Sequence, residues 1–149
     1  MPEKVKIIEC PRDAMQGIKS FIPTERKIAY IQSLLGCGFD TIDFGSFVSP
    51  RAIPQMADTA EVLSNLDLTN SKSKLLAIVA NVRGANEASL HHNIDYLGYP
   101  FSISENFQMR NTHKTIAQSI NILSDILEIA QATNKEVVTY VSMGFGNPY

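Results

Sequence analysis

The chain has 149 residues, 44% of them hydrophobic and 19% charged, with a formal net charge of −2 at pH 7. That composition supports one compact domain with an apolar core and excludes a mostly disordered chain. Thirteen basic against fifteen acidic residues leave no cationic field for non-specific nucleic-acid binding. No apolar run approaches the ~18–20 residues of a membrane span. The opening Met1-Pro2-Glu3-Lys4-Val5-Lys6 lacks the apolar centre of a signal peptide, so a cytoplasmic location is expected. Two cysteines, Cys10 and Cys37, cannot build a disulfide framework and read as small buried hydrophobes in a reducing compartment.

Val5-Lys6-Ile7-Ile8-Glu9 is β-branched and apolar and stops at Pro11, which predicts a first strand. Ile28, Ile31, Leu34 and Leu35 recur at helical spacing from Thr24, a candidate N-cap, to Gly36. Thr41 to Phe44 is the second strand, running into Gly45-Ser46-Phe47-Val48-Ser49-Pro50. A helix is expected from Pro54 to Leu66, with Met56, Ala60, Leu63 and Leu66 on one face. Leu75 to Ala80 is a continuous apolar run, as in a strand buried on both faces of a parallel sheet. A short helix follows over Gly84 to Leu90, then a fourth strand within Ile94 to Phe101. The stripe Ile116, Ile120, Leu123, Leu127 and Ala130 predicts a long helix from Thr112 to Ala132. Glu136 to Val141 is the fifth strand.

Strand and helix alternate throughout, predicting a parallel α/β architecture of about five strands and four helices. An open doubly wound sheet fits the length, but no glycine-rich phosphate loop follows the first strand. Polar clusters follow strands one, two, four and five instead, where a (β/α)8 barrel places its active site. A full barrel needs ~250 residues, so on that reading the chain is little more than half of one. Unclosed edges would then favour poor solubility or association.

Pro11-Arg12-Asp13-Ala14-Met15-Gln16 sets a guanidinium beside a hard carboxylate oxygen at the end of the first strand. Such a pair suits an anionic oxygen and a cation such as Mg²⁺ or Mn²⁺, and equally suits a solvated ion pair in a loop. Asp43 differs, because burial within an apolar strand costs several kcal/mol unless the carboxylate is paired. Arg12 on the neighbouring strand is the expected partner. The hydroxyls of Ser46 and Ser49 are open to ligand binding or to capping, and the run Phe101 to Asn111 is similarly dense in hydrogen-bonding groups. His91, His92 and His113 form no metal-ligand spacing and read as surface residues. Arg83 and Arg110 are open to phosphate contact or simple solvation.

Pro11 to Gln16, Ser46-Phe47-Val48-Ser49-Pro50 and Pro54-Gln55-Met56-Ala57-Asp58 together resemble hydroxymethylglutaryl-CoA lyase. The resemblance continues through Ser104-Glu105, Asn111, Tyr140-Val141-Ser142 and Gly146-Asn147-Pro148-Tyr149. Arg-Asp alone is shared with the wider DRE-TIM metallolyases, whereas the serine block with Pro-Gln-Met-x-Asp is specific to the lyase branch. The resemblance implies one partial pyruvate carboxyltransferase-like barrel domain over 1–149 and a metal-dependent retro-Claisen cleavage. The substrate would be 3-hydroxy-3-methylglutaryl-CoA, the products acetyl-CoA and acetoacetate, and the setting leucine degradation. By the same resemblance Asp13 is a metal ligand close to the C3 hydroxyl proton, and Arg12 stabilises the thioester enolate. Asp43 stands in place of the family's usual Glu. Gln16, Ser46, Ser104, Asn111 and Ser142 would touch substrate. A divalent cation (Mg²⁺ or Mn²⁺) is the implied cofactor, an acyl-CoA the partner, and a homo-oligomer the state of a full-length form.

Departures from the family pattern are Ala14-Met15 for Gly-Leu, a one-residue shortening at Glu9-Cys10-Pro11, and Asp43 itself. The family's His-x-His ligands, cysteine loop and metal-binding asparagine belong to the second half of the barrel and have no counterpart here. The 149-residue chain alone is therefore expected to be inactive. A related Claisen-condensing synthase of the isopropylmalate or citramalate kind, and a non-catalytic half-barrel that binds a partner, are the competing readings.

Overall fold

The computed structural model describes residues 5–149. Met1 to Lys4, part of the segment read above for a leader, lie outside the described residues. No helix among the described residues is long and apolar enough to cross a membrane. The chain divides into two compact units, one up to Ala77 and one from Ile78 to Tyr149.

The first unit contains β1 (Ile8–Glu9), α1 (Pro11–Gln16), α2 (Thr24–Leu35), β2 (Thr41–Ser46), a 3-10 helix (Pro54–Met56), α3 (Thr59–Ser64) and nearly all of β3 (Lys74–Ile78). β1 is shorter than its apolar run suggested, and pairs in parallel with β2 through Ile8 opposite Thr41 and Glu9 opposite Ile42. Pro11 takes the first helical position, where its missing N–H costs nothing. The Arg12-Asp13 segment is therefore a helical turn rather than a loop. α2 has the expected limits, but Pro23 occupies the N-cap and makes no side-chain cap. Thr24 instead donates its hydroxyl to Asp58 Oδ2 at 2.8 Å. The helix expected over Pro54 to Leu66 is split into the 3-10 turn and α3. Met56, Val62 and Leu63 face the core while Ala60 is exposed.

The second unit contains α4 (Val82–Ser89), β4 (Tyr96–Phe101), α5 (Glu105–Thr112), α6 (Ile116–Ala132) and β5 (Glu136–Val141). β4 and β5 pair in parallel over six positions, from Tyr96 opposite Glu136 to Phe101 opposite Val141. The long helix expected from Thr112 to Ala132 begins at Ile116 instead, and a separate helix, α5, precedes it. His113 ends α5 in the left-handed conformation (φ 57°), and Thr115 opens α6 with a capping box shared with Gln118. The fully buried residues of α6 are Ser119, Ile126 and Ala130; of the expected stripe Ala130 is buried, Ile116 and Leu123 are half-buried, and Ile120 and Leu127 are each 49% exposed. α6 carries apolar residues on two faces, and the expected stripe takes in part of each. Lys135, just before β5, is buried and holds the turn between α4 and β4, donating to His91 O at 2.8 Å and Ile94 O at 2.7 Å. Burial pushes its ammonium below the usual lysine range, and Asp95 opposes that shift.

All five strands are parallel and fall in sequence order, β1-β2-β3-β4-β5. That order separates a barrel from an open doubly wound sheet, whose strand order reverses at a switch point. The structure carries six α-helices among the described residues, two more than expected, because α1 and α5 arise inside segments that read as connections. The fold is the N-terminal portion of a (β/α)8 barrel.

β2 is buried at all six positions. A Cβ placed on Gly45 would lie 2.5 Å from Thr59 Cγ2 and 3.0 Å from Thr59 Oγ1. The Thr59 hydroxyl cannot move aside freely, since it accepts from Ser46 N–H and donates to Met56 O. Gly45→Ala is expected to destabilise the protein by roughly 1–3 kcal/mol in urea unfolding. Adding Thr59→Ser, which removes the clashing methyl and keeps the hydroxyl, should recover part of that loss. An undiminished Gly45→Ala stability would contradict the close approach.

Candidate active site

α1 is only six residues long and has no side-chain N-cap, so its position depends on tertiary contacts. Its anchor is Arg12. The guanidinium makes a two-pronged contact with Asp43 of β2, Nε to Oδ1 at 3.1 Å and Nη2 to Oδ2 at 2.5 Å. Asp43 is fully buried and the Arg12 side chain is 10% exposed. The remaining nitrogen, Nη1, faces the opposite way and donates to Asp13 Oδ1 at 2.9 Å and to Gln16 Oε1 at 3.1 Å. Gln16 Nε2 also donates to Asp13 Oδ1, at 3.0 Å. Asp43, Arg12, Asp13 and Gln16 thus form one hydrogen-bonded chain running from the core to the surface, where the Asp13 side chain is 65% exposed.

The pairing of Arg12 with Asp43 expected from the sequence is present. It is bidentate, which locks the guanidinium plane as well as its position. Asp13 offers a hard carboxylate oxygen to solvent, as a ligand of a divalent cation requires. It fits as one ligand of a larger set. No group of three or more His, Cys, Asp or Glu side chains among the described residues could hold a metal.

Ser46, at the end of β2, is buried. Its Oγ accepts from Val48 N–H at 3.2 Å and its own N–H donates to Thr59. Ser49 caps no helix and accepts from Arg51 N–H within its own turn. In the second unit the Ser102 hydroxyl donates to Ser142 O at 2.9 Å and accepts from Ser104 N–H at 3.2 Å. This relay brings Ser104 and Ser142 together beyond the ends of β4 and β5. The Ser104 hydroxyl is the N-cap of α5, accepting from Phe107 N–H at 3.4 Å. Asn111 is exposed near the end of α5. Arg83 forms an exposed pair with Glu87, and the Arg110 guanidinium lies 4.1 Å over the Tyr149 ring.

Lys27 belongs to no motif and stands among apolar residues in the sequence, so nothing local marks it. Its spacing to Ile31 and Leu35 nevertheless puts all three on one helical face, and all three are buried. Lys27 pairs with Asp58 Oδ1 at 2.7 Å. Neither cysteine is a fully buried hydrophobe: Cys37 is exposed and Cys10 half-buried. Burial and the nearby Asp43 carboxylate push the Cys10 thiol above the usual range, with Arg12 opposing.

Strand order defines the class of protein, a (β/α)8-barrel type, and the charged chain lies just past the carboxyl end of β1, the end at which barrels of this class carry their active sites. No family model matches the chain. It is 36% identical over 158 residues to the mitochondrial hydroxymethylglutaryl-CoA lyase of Gallus gallus, covering 99% of this chain and 49% of the relative. The crystal structure of the Bacillus subtilis HMG-CoA lyase superposes with a TM-score of 0.92 at 35% identity, over 99% of this chain and 49% of that one. An Acinetobacter baumannii HMG-CoA lyase solved in complex with coenzyme A and 3-methylmalate matches with a TM-score of 0.81 at 30% identity, over 90% of this chain and 44% of that one. Over its length, then, the chain is similar to the N-terminal portion of hydroxymethylglutaryl-CoA lyase, a carbon–carbon lyase. It spans about half the length of the curated relatives it matches.

Truncating Asp43 to Ala leaves the Arg12 cation buried without its carboxylate, and should cost on the order of 3–5 kcal/mol in urea unfolding. The double variant Arg12→Met with Asp43→Leu is expected to be less damaging than Asp43→Ala. Equal losses would show that the pair is solvated. In iodoacetamide alkylation at pH 8, Cys37 should react faster than Cys10, because burial hinders Cys10 and its raised pKa leaves less thiolate below that pKa. Mass-mapped peptides report the two rates, and faster labelling of Cys10 would contradict this environment.

Proposed function

We propose that this chain supplies the Arg12–Asp13 part of a hydroxymethylglutaryl-CoA lyase site, in one barrel domain of which 1–149 is the N-terminal portion. The observation that carries the reading is the direction of the Arg12 guanidinium. Asp43 takes Nε and Nη2, so Nη1 is aimed at the Asp13 side, where substrate and cation would meet.

The cleavage asks for two things. A base removes the C3 hydroxyl proton, the C2–C3 bond breaks, and its electron pair passes to the thioester as an enolate. Protonation at C2 then gives acetyl-CoA, while C3 becomes the ketone of acetoacetate. Arg12 Nη1, whose two N–H groups serve Asp13 and Gln16, would turn one of them to the enolate oxygen in place of Gln16 Oε1, from a guanidinium whose plane is fixed before charge develops. Gln16, on the same helix, holds Asp13 Oδ1 toward Arg12. Asp13 would contribute one oxygen to a Mg²⁺ or Mn²⁺ ion, with the rest of its ligands outside this chain. When bound, such a cation polarises the hydroxyl and free carboxylate of the substrate. Ser46, Ser104, Asn111 and Ser142 are the proposed substrate contacts. For Ser46 and Ser104 the contact must coexist with the backbone bonds their hydroxyls accept. Leucine degradation in the cytoplasm and assembly of the full-length form as a homo-oligomer complete the proposal.

A chimera tests it directly: residues 1–149 joined to the remaining half of the Bacillus subtilis lyase, assayed with Mg²⁺ or Mn²⁺ and 3-hydroxy-3-methylglutaryl-CoA. Acetoacetate should be released, and Arg12→Gln should lower kcat by about 10²–10³, the usual effect of losing one oxyanion donor. A folded chimera that makes no acetoacetate, or an Arg12→Gln form that retains full activity, would overturn the assignment. Condensation of acetyl-CoA with a 2-oxo acid by the same chimera would instead favour a synthase.

A further inference from the structure

The Pro54-Gln55-Met56-x-Asp58 segment carries a second network that touches none of the proposed reacting groups. Gln55 is 3% exposed and its amide is fully committed to the backbone that follows α1. Oε1 accepts from Ile22 N–H at 2.8 Å, while Nε2 donates to Ile18 O at 2.9 Å and Ser20 O at 3.0 Å. This pattern fixes the amide orientation, since only the nitrogen can serve two carbonyls. Lys27 Nζ donates to the Gln55 carbonyl and to Asp58, and lies 4.0 Å over the Phe21 ring. Thr24 holds the other oxygen of Asp58. The loop 17–23 is thereby tied at both ends to the 3-10 helix, which in turn packs against α1.

We propose that Gln55, braced by Lys27 and Asp58, is a positioning residue for Arg12 and Asp13. α1 is held at its start by the Arg12–Asp43 pair and carries no cap of its own. Its far end passes through Gly17 straight into the backbone groups that Gln55 grips. With that grip released, a six-residue helix can rotate about its Arg12 anchor, and Asp13 and Gln16 leave Nη1. Gln55 thus acts through α1 and does not itself meet substrate. The inference rests on the reading of Arg12 and Asp13 as reacting-end residues, and gives the motif peculiar to the lyase branch a mechanical role.

The test is hydrogen exchange followed by ¹⁵N NMR on the 149-residue protein, comparing the native form with Gln55→Glu, which keeps the shape and loses two donors. The amides of residues 14–16 should exchange about tenfold faster or more in the variant, while the Arg12 Nε–H, held by Asp43, stays near its native rate. The amides of Ile31, Ile42 and Phe44 should stay within about twofold of native, marking a local opening. Faster exchange confined to residues 18–22, with the amides of residues 14–16 unchanged, would overturn the proposal. So would an equal rise at every site, which reports lost global stability. If Gln55→Glu does not fold, Asp58→Asn is read by the same two outcomes. The measurement uses neither substrate nor metal, so an inactive chimera would sink the lyase reading and leave this result standing.

Discussion

The buried bond between Arg12 and Asp43 is the constraint on which the candidate site depends. A carboxylate with no solvent contact in the middle of β2 is tolerable only with a matching cation, and a bidentate guanidinium is the geometry that satisfies both of its oxygens. Pairs of this kind add little net stability relative to well-packed apolar residues. What this one adds is direction. With two of its nitrogens held by β2, Arg12 turns the third toward α1, where Asp13 and Gln16 accept from it. A lysine would lack the planar fork needed to do both at once. The shorter Asp43, where the resemblance leads one to expect Glu, still reaches the guanidinium, because Arg12 is brought inward on a helical turn.

Two further cations are buried, one in each unit, and both serve backbone carbonyls. Lys27 reaches the carbonyl of Gln55, and Lys135 reaches those of His91 and Ile94. In each case a long aliphatic stem lies within the apolar layer and the ammonium satisfies acceptors where the chain leaves regular structure. Parallel βα units join every strand to a helix through loops that must lie close to the core, so their carbonyls need such donors. These lysines look like surface residues in composition and act as structural ones.

Much of the fold was legible because its signals are local. The β-branched runs at Thr41 to Phe44 and Glu136 to Val141, and the apolar run from Leu75, all became strands near their expected limits. α2 runs from Thr24 to Leu35 as its spacing predicts. The errors fell where helices are short or apolar on more than one side. α1 and α5 were read as connections because polar residues dominate them, and six to eight residues are too few to show a period. The stripe of α6 is right at Ala130 and misses Ile126, because Ile120 and Leu127 fit the helical spacing as well as Ile126 does. Sequence motifs located Arg12, Asp13, Asp43 and Gln16. They did not reveal that Gln55 and Asp58 of the same motif set are occupied with holding a loop.

By itself the sequence determined the alternation of strand and helix, the parallel class, and the residue types at the ends of the first two strands. Its motifs also pointed to the N-terminal portion of a lyase barrel, because the serine block and the Pro-Gln-Met segment are chemically distinctive in one dimension. Only the tertiary structure decided that the strands lie in sequence order, since strand order depends on pairing between distant segments. The same holds for the path of the Arg12 guanidinium, the burial of Lys27 and the grip of Gln55. Each is a contact across some thirty residues of chain, set by how βα units pack, and no local pattern encodes it.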